Sequence, residues 1–303
     1  MKLLENAVQR RRLFSIGVGI GVGLAGRAIA QPKPMAEPTP GRRREIPHRK
    51  AKTTRMFKAP GFYPNAIAVA PEGLWIGQQK LSVEQAREWN QPVPANRDEA
   101  AWLVDWNGKL LKTITTKSRN TSGMACGDGF VWMCANTEPQ GVFQTDMNSA
   151  LVNHRQIPLG IGKDGGGCHG AQWHDGKLWI VANRLRSLMR VDPKTWTPEA
   201  MIPIHTTPEL PRWHDMTFDG EGYIWQVIGN NSQSFAAGKP GLVKYDPHSG
   251  EVLLTAEFVS GSCDPHGLEF HNGALISCDA GLHPGWKDMD SPHSGYIFKI
   301  DLV

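Results

Sequence analysis

The sequence is poor in cysteine, and the spacing of its five cysteines matches no zinc-finger pattern. It also contains no C-x-x-C-H haem-attachment motif and no glycine-rich nucleotide-binding loop, so a bound metal would act without an organic cofactor. The odd number leaves at least one cysteine unpaired. We expect the cysteines to be small buried apolar residues, with room for one disulfide bridge. The cysteines are Cys126, Cys134, Cys168, Cys263 and Cys278.

Long apolar runs are absent as well. The apolar run over residues 13–26 is too short to span a membrane and is interrupted by five glycines. Three arginines at 10–12 precede it, and the small-residue stretch Ala28-Ile29-Ala30 follows it. This order predicts an export signal over residues 1–31 and a periplasmic or secreted mature protein without a membrane span. The arginines followed by Leu13-Phe14 resemble a twin-arginine signal, and an ordinary secretory leader is the alternative.

The net charge of +4 is unevenly distributed. Residues 1–31 carry five basic residues against one acidic, and residues 32–58 carry nine against two, which leaves the remainder at about −7. A basic tail on a mildly acidic body excludes a nucleic-acid surface. The proline-rich, charged segment 32–51 predicts an extended linker, and residues 52–303 are expected to form a single domain.

Five copies of a β-hairpin pattern recur along the chain. Each copy is a short alternating run, a turn rich in Gly and Asp or Asn, and a second apolar run. A tryptophan lies ten or eleven residues after the start of the first four copies, and Ile276 takes its place in the fifth. The copies are "NAIAVAPEGLWI" from Asn65, "SGMACGDGFVWM" from Ser122, "HGAQWHDGKLWI" from His169, "HDMTFDGEGYIWQ" from His214 and "HGLEFHNGALIS" from His266.

A third strand ending in an aspartate turn follows every copy, and a fourth β-rich run follows four of them. The aspartates are Asp105, Asp146, Asp192, Asp246 and Asp301. Such units without helical periodicity indicate an all-β protein, a β-propeller of five four-stranded blades. The insertion at residues 81–100 leaves room for an irregular sixth blade. Because the last copy lacks a fourth strand, we predict that the N-terminal strand Thr53–Ala59 closes the last blade. A β-sandwich, the alternative, does not explain five in-frame repeats.

The first residue of each copy enters the innermost strand of a blade, so these residues are expected to surround one mouth of the central tunnel. Three of them are histidines, and three converging imidazoles are suited to a divalent metal ion such as Zn²⁺, Cu²⁺ or Fe²⁺, with Ca²⁺ also considered. We therefore predict His169, His214 and His266 as metal ligands. The alternative is that each histidine caps its blade by hydrogen bonding to backbone.

A second polar ring is predicted where the second strands return to the same face. Amide and hydroxyl side chains of the two rings are expected to bind a small-molecule substrate: Asn65, Ser122, Gln78, Asn136, Asn183 and Asn230. Asp279 and His283 are the candidate general bases, because they come from this second ring and from a neighbouring long loop. Asp215 and Asp264 flank two of the histidines and are expected to orient their imidazoles.

The strand pairs "HGLEFHNGALIS" and "HGAQWHDGKLWI" and the turns "VDPKTW" and "YDPHSG" resemble the NHL, SMP-30/gluconolactonase and virginiamycin B lyase-like propellers over about residues 60–303. In the lactonase branch a Glu, an Asn and an Asp hold the catalytic ion. The resemblance assigns similar parts to Asn183, Asn230 and Asp279, but this chain has three His and no Glu at the mouth. The lyase branch uses His for proton abstraction beside a divalent ion.

These features favour an exported metal-dependent enzyme, a lactonase-like hydrolase or a lyase acting on a small carbonyl or cyclic ester substrate. One alternative is a copper or iron redox enzyme that uses the same three histidines. The other is a non-catalytic binding or scaffold propeller, which would hold no metal. It stays open because a fold alone does not determine a function.

Overall fold

The five hairpin repeats form five antiparallel four-stranded units in the computed structural model of the protein. The structure describes residues 45–303 except 62, 81, 89, 91–97, 161–165, 206–211, 230–239 and 282–290. In each unit the alternating run is the first strand, and the run that contains the tryptophan, or Ile276 in the fifth unit, is the second. The first strands of successive units contact one another in a closed ring, which confirms the five-bladed propeller.

The blades follow one another along the chain. Blade 1 contains β2 (Pro64–Ala70), β3 (Gly73–Gln78), β4 (Glu99–Val104) and β5 (Leu110–Thr116), and blade 2 contains β6 (Thr121–Gly127), β7 (Phe130–Ala135), β8 (Gly141–Asp146) and β9 (Leu151–Arg155). Blade 3 contains β10 (Ala171–His174), β11 (Lys177–Ala182), β12 (Ser187–Asp192) and β13 (Thr197–Pro203). Blade 4 contains β14 (Arg212–Phe218), β15 (Ile224–Gly229), β16 (Gly241–Tyr245) and β17 (Val252–Ser260), and blade 5 begins with β18 (Pro265–His271), β19 (Ala274–Asp279) and β20 (Tyr296–Leu302).

The N-terminal strand β1 (His48–Lys58) completes blade 5, as predicted. Its residues from Ala51 onward pair antiparallel with β20, while its first residues pair parallel with β17 of blade 4. Blades 4 and 5 therefore share one eight-stranded sheet. The strand begins at His48 rather than at Thr53, so the last residues of the predicted 32–51 linker belong to the sheet.

The repeated apolar position fills the gap between neighbouring blades. Trp75, Trp132, Trp179, Trp225 and Ile276 each lie in a different one of the five buried clusters. Because each cluster combines side chains from two successive blades, this one position explains much of the cohesion around the ring. Burying a large aromatic side chain stabilises a fold by roughly 2–3 kcal/mol.

The aspartate turns have a local function. Asp105, Asp146, Asp192 and Asp246 each accept two backbone N–H bonds within the turn that follows the third strand. Such side-chain bonds replace a backbone turn and fix the reversal into the fourth strand. The recurrence of this turn follows from the repeat.

The insertion in blade 1 is not a sixth blade in the part that the structure describes. It contains the helix α1 (Val83–Glu88), and the chain then enters β4 of the same blade. No helix within the described residues is long and apolar enough to cross a membrane.

Candidate functional site

Four of the five inner strands contain a bulge at the repeated position, where the strand begins at the tunnel mouth. Register shifts lie between Pro64 and Ala66, between Thr121 and Gly123, between Trp213 and Met216, and between Pro265 and Leu268. Each shift adds one residue to the inner strand, and a bulge re-aims the side chain that it contains. The bulges therefore turn Asn65, Ser122, His214 and His266 away from the regular pleat of their strands.

The three histidines come together at this mouth. The imidazole centroids of His214 and His266 lie 3.9 Å apart, those of His169 and His214 lie 4.9 Å apart, and those of His169 and His266 lie 6.2 Å apart. All three side chains are buried, with His169 the most exposed at 7%. Three blades therefore place their imidazoles in one enclosed space.

The tautomers of two of these rings follow from their backbone contacts. Nδ1 of His214 contacts the carbonyl oxygen of Pro265, and Nδ1 of His266 lies 3.0 Å from the carbonyl oxygen of Asp264. A carbonyl oxygen can only accept, so in the neutral rings each Nδ1 carries the proton and the lone pair lies on Nε2. A backbone carbonyl at one ring nitrogen is the usual way to orient a metal-binding imidazole.

Asp264 joins the two histidines in the tightest group of ligand-type atoms among the described residues. One ligand atom each from His214, Asp264 and His266 lies within 4.8 Å of the others, and all three side chains are buried. The Asp264 carboxylate also lies 3.3 Å from Nδ1 of His266, and its orienting role stays a prediction. His169 is not part of this group, although its ring stacks beside that of His214.

Asp279 is a second buried carboxyl beside this group. Its Oδ2 accepts a hydrogen bond of 2.5 Å from Ser262 and another from Ser291, while its Oδ1 has no hydrogen-bond partner among the described residues. Burial, and then the nearby charge of Asp264, raise the pKa of Asp279 to about 7. Asp279 can thus exchange a proton near neutral pH.

Asp215, for which the sequence predicts an orienting contact with an imidazole, bonds to the backbone of neighbouring strands. Its carboxylate accepts backbone N–H bonds of 2.9 Å from Ala171, 2.9 Å from Met216 and 3.3 Å from Leu268. These donors belong to blades 3, 4 and 5, so Asp215 ties three inner strands together. Its place in the bulge turns the carboxylate towards buried backbone N–H groups of neighbouring strands, which the sequence pattern did not indicate. Burial raises its pKa well above the usual range.

The predicted substrate-binding side chains of blades 1 and 2 make structural contacts. Asn65 donates to the carbonyl of Thr121 at 2.9 Å, and Ser122 donates to the carbonyl of Asn120 at 2.7 Å. In the second ring, Gln78 accepts from the backbone of Ala100. These bonds secure the first blades.

The rest of the second ring is half-buried or lies outside the described residues. Asn183 donates to the carbonyl of Trp213 at 3.2 Å, and the backbone carbonyl of Asn136 accepts from Gln140 at 3.4 Å. Asn230 and His283 fall in the ranges that the structure does not describe.

Several residues around the site were not predicted. Ser262 and Ser291 hold Asp279, and Glu269 lies buried further along β18, where Oε1 accepts the backbone N–H of Val69 at 3.1 Å. Burial raises the pKa of Glu269 to about 8. The signal that could have identified Glu269 is a carboxylate inside an innermost strand, which the repeat predicts to be buried. Ser262 and Ser291 carry no repeat signal.

Comparisons with known proteins support the fold. No family model matches the chain, and a search of curated proteins finds no match. Among solved structures, a glutaminyl cyclase from Myxococcus xanthus matches with a TM-score of 0.54 and 10% identity, over 85% of this chain and 98% of that chain. A hydrazine synthase from Kuenenia stuttgartiensis matches with a TM-score of 0.47 and 11% identity, over 82% and 64% of the two chains.

A luciferin-regenerating enzyme matches with a TM-score of 0.44 and 14% identity, over 76% of this chain and 74% of that chain. These neighbours have propeller-like folds, and at such identities the likeness concerns the fold alone. The closed ring of five blades and the match at a TM-score of 0.54 make the chain a β-propeller protein, and its chemistry has to be argued from its own mouth residues.

Proposed function

We propose that this propeller is a metal-dependent enzyme, a lyase or hydrolase that acts on a small carbonyl or cyclic ester substrate. The observation that carries the proposal is the buried group of His214, Asp264 and His266, whose ligand atoms lie within 4.8 Å of one another. Packing alone does not require two imidazoles and a carboxylate at one buried point, because burying such groups is costly unless they are paired or bind an ion.

The donor set suits a divalent cation. Neutral imidazole nitrogen and carboxylate oxygen are ligands of Zn²⁺ and of Fe²⁺, and the assigned tautomers place the lone pairs of His214 and His266 on Nε2. A cation there would polarise a substrate carbonyl or lower the pKa of a bound water. His169 lies beside this group, where its imidazole can supply a further ligand or contact the substrate.

Proton transfer is assigned to Asp279. This buried carboxyl lies beside the proposed ligands, where it can take a proton from the substrate or from water and return it later in the reaction. Hydrogen bonds from Ser262 and Ser291 hold Oδ2, which leaves Oδ1 to face the reacting group. The fold is compatible with catalysis, since the solved glutaminyl cyclase is an enzyme on a propeller.

We further propose a place in the NHL, SMP-30/gluconolactonase and virginiamycin B lyase-like group, and export to the periplasm or medium. The repeated strand pairs support the first point, and the arginine, apolar and small-residue order of residues 10–30 supports the second. Replacing Arg11 and Arg12 with Lys tests the twin-arginine route, for which loss of export is expected.

Metal content is the decisive measurement. We expect the full chain, purified without chelators, to contain about one divalent ion per chain by elemental analysis. His214→Ala and Asp264→Asn should lose that ion, whereas His248→Ala, which removes an exposed histidine, should retain it. A metal-free wild-type protein that also fails to bind added Zn²⁺, Fe²⁺, Cu²⁺ or Ca²⁺ would overturn the proposal and favour a binding propeller.

Activity can be tested on a panel of small lactones, esters and carbonyl compounds. Asp279→Asn keeps the shape of the side chain but removes the titratable group, so it should reduce kcat at least 100-fold and leave metal content unchanged. The same variant should abolish the part of the pH dependence of kcat that comes from titration of Asp279. A variant with wild-type turnover would remove Asp279 from the mechanism.

A second candidate is an iron-dependent redox enzyme. Two histidines and one carboxylate form the ligand set typical of non-haem Fe²⁺ oxygenases. This candidate is favoured if the bound metal is iron and if oxygen uptake depends on His214. Bound zinc, or turnover without oxygen, favours the lyase or hydrolase.

A further inference from the structure

Two cysteines lie at the boundary between blades 2 and 3, directly before His169. Cys134 is near the end of β7, and Cys168 lies in the segment that leads into β10. Both thiols are completely buried and belong to the same apolar cluster. The backbone N–H of Cys168 donates to the carbonyl of Ala135 at 3.4 Å, so the two chain segments run side by side here.

Each thiol forms a hydrogen bond across the boundary between the two blades. The Cys134 thiol donates to the carbonyl of Gly170 at 3.2 Å, and the Cys168 thiol donates to the carbonyl of Gly141 at 3.4 Å. Burial raises the pKa of Cys134 well above its usual range, and direct contact with the Cys168 thiol raises it further. Two thiols in contact across an interface differ from the other cysteines, which lie elsewhere in the fold.

We propose that Cys134 and Cys168 are a disulfide-forming pair that links blade 2 to blade 3 and holds the backbone entering His169. The oxidant is a small or protein disulfide, such as oxidised glutathione or a dithiol–disulfide oxidase. One cysteine thiolate attacks the oxidant disulfide and releases a thiol, and the second thiolate then attacks the mixed disulfide. One sulfur–sulfur bond forms, two protons and two electrons leave the pair, and the oxidant becomes two thiols.

The reaction must precede the final packing of the two blades. Both thiols have no exposed surface in the folded chain, so an oxidant reaches them only while the interface is open. Closing a loop of about 34 residues restricts the unfolded chain and stabilises the folded one. The bond also fixes the residue that immediately precedes His169, at the rim of the tunnel.

Alkylation and mass spectrometry test the pair directly. The full chain is refolded with oxidised and reduced glutathione, denatured, and alkylated without and with prior reduction. We expect three alkylated cysteines before reduction and five after it. Tryptic peptides 120–155 and 164–177 should be linked, and because the first also contains Cys126, the Cys126→Ser variant should retain the link.

The outcomes separate clearly. Cys134→Ser and Cys168→Ser should each abolish the linked peptide, and reduction should lower the Tm of the wild type by several degrees without affecting these variants. Wild-type protein with five alkylatable cysteines under oxidising conditions would overturn the proposal, as would a bridge to Cys126, Cys263 or Cys278. The wild-type map decides the question even if a serine variant fails to fold.

Discussion

The two halves of the tunnel mouth use the same backbone for different purposes. In blades 1 and 2 the bulge presents Asn65 and Ser122, which bond to neighbouring backbone carbonyls. In blades 4 and 5 the equivalent bulges present His214 and His266 to a shared buried point. A bulge re-aims a side chain whatever its chemistry. The repeat therefore determines where the mouth lies. The residue type at the bulge determines whether a blade bonds to its neighbour's backbone or contributes an imidazole to the site.

Buried acids show the same division. Glu99, behind the first half, accepts bonds from the N–H groups of Lys80, Asn120 and Thr121 and from the Thr121 hydroxyl. Glu269, on the histidine side, accepts a backbone N–H bond of 3.1 Å and two side-chain contacts of 3.4 Å. The bonds to the first carboxylate are 2.8–3.1 Å long, whereas the side-chain contacts of the second are longer, at 3.4 Å. We therefore expect substitution of Glu99 and substitution of Glu269 to have opposite effects on the free energy of unfolding.

The largest effect is expected from Gly229→Ala. A Cβ at this position would overlap Cε1 of His214 and lie 2.7 Å from its Nδ1, so the imidazole must move. We expect loss of the bound metal and a stability loss of about 2–4 kcal/mol, measured by elemental analysis and urea unfolding.

Gly77→Ala on the other half is the matched comparison. Its nearest neighbour would be the flexible end of Met124 at 2.8 Å, so we expect a smaller stability loss and unchanged metal content. Equal metal loss in both variants would mean that the two halves are not separate.

Glu99→Gln should be the next most damaging change. The carboxylate now accepts bonds from backbone N–H groups, and the NH₂ of an amide cannot accept such a bond. At least one of these donors therefore loses its partner. We expect a loss of about 2–3 kcal/mol in urea unfolding at pH 7. Glu221→Gln, at a side chain that is 75% exposed, should change stability by less than about 0.5 kcal/mol. A neutral Glu99→Gln would show that its donors find other partners.

Glu269 should make the stability of the protein depend on pH. Its folded-state pKa of about 8 lies above the unfolded value near 4.3, so the folded state keeps a proton that the unfolded chain releases. Stability should therefore fall as the pH rises from about 5 to 8, with a slope of at most about 1.4 kcal/mol per pH unit from this group. Glu269→Gln should flatten that slope and be more stable than the wild type at pH 8. An unchanged slope would contradict the assigned pKa.

The propeller was predictable because it rests on repeated local signals. In-frame tryptophans, aspartate turns and a missing last strand defined the blades and their closure, and the three histidines shared one repeat position. The partners of the site did not repeat. Ser262 and Ser291 reach Asp279 from irregular segments, and the bonds of Asp215 depend on how closely inner strands approach across the tunnel. Such contacts are determined by tertiary packing between blades.

The smallest expected effect distinguishes two versions of the metal site. The repeat favours three histidine ligands, whereas the geometry favours His214, Asp264 and His266 and places His169 outside that group. If the geometry is correct, His169→Ala should retain the ion and weaken its binding by less than about tenfold, because only a contact beside the ligands is lost. Competition with a chromogenic zinc chelator would measure this, with Asp264→Asn as the severe comparison. Loss of the ion in His169→Ala together with retention in Asp264→Asn would instead establish the three-histidine set, and would mean that the imidazole of His169 moves towards His214 when the metal binds.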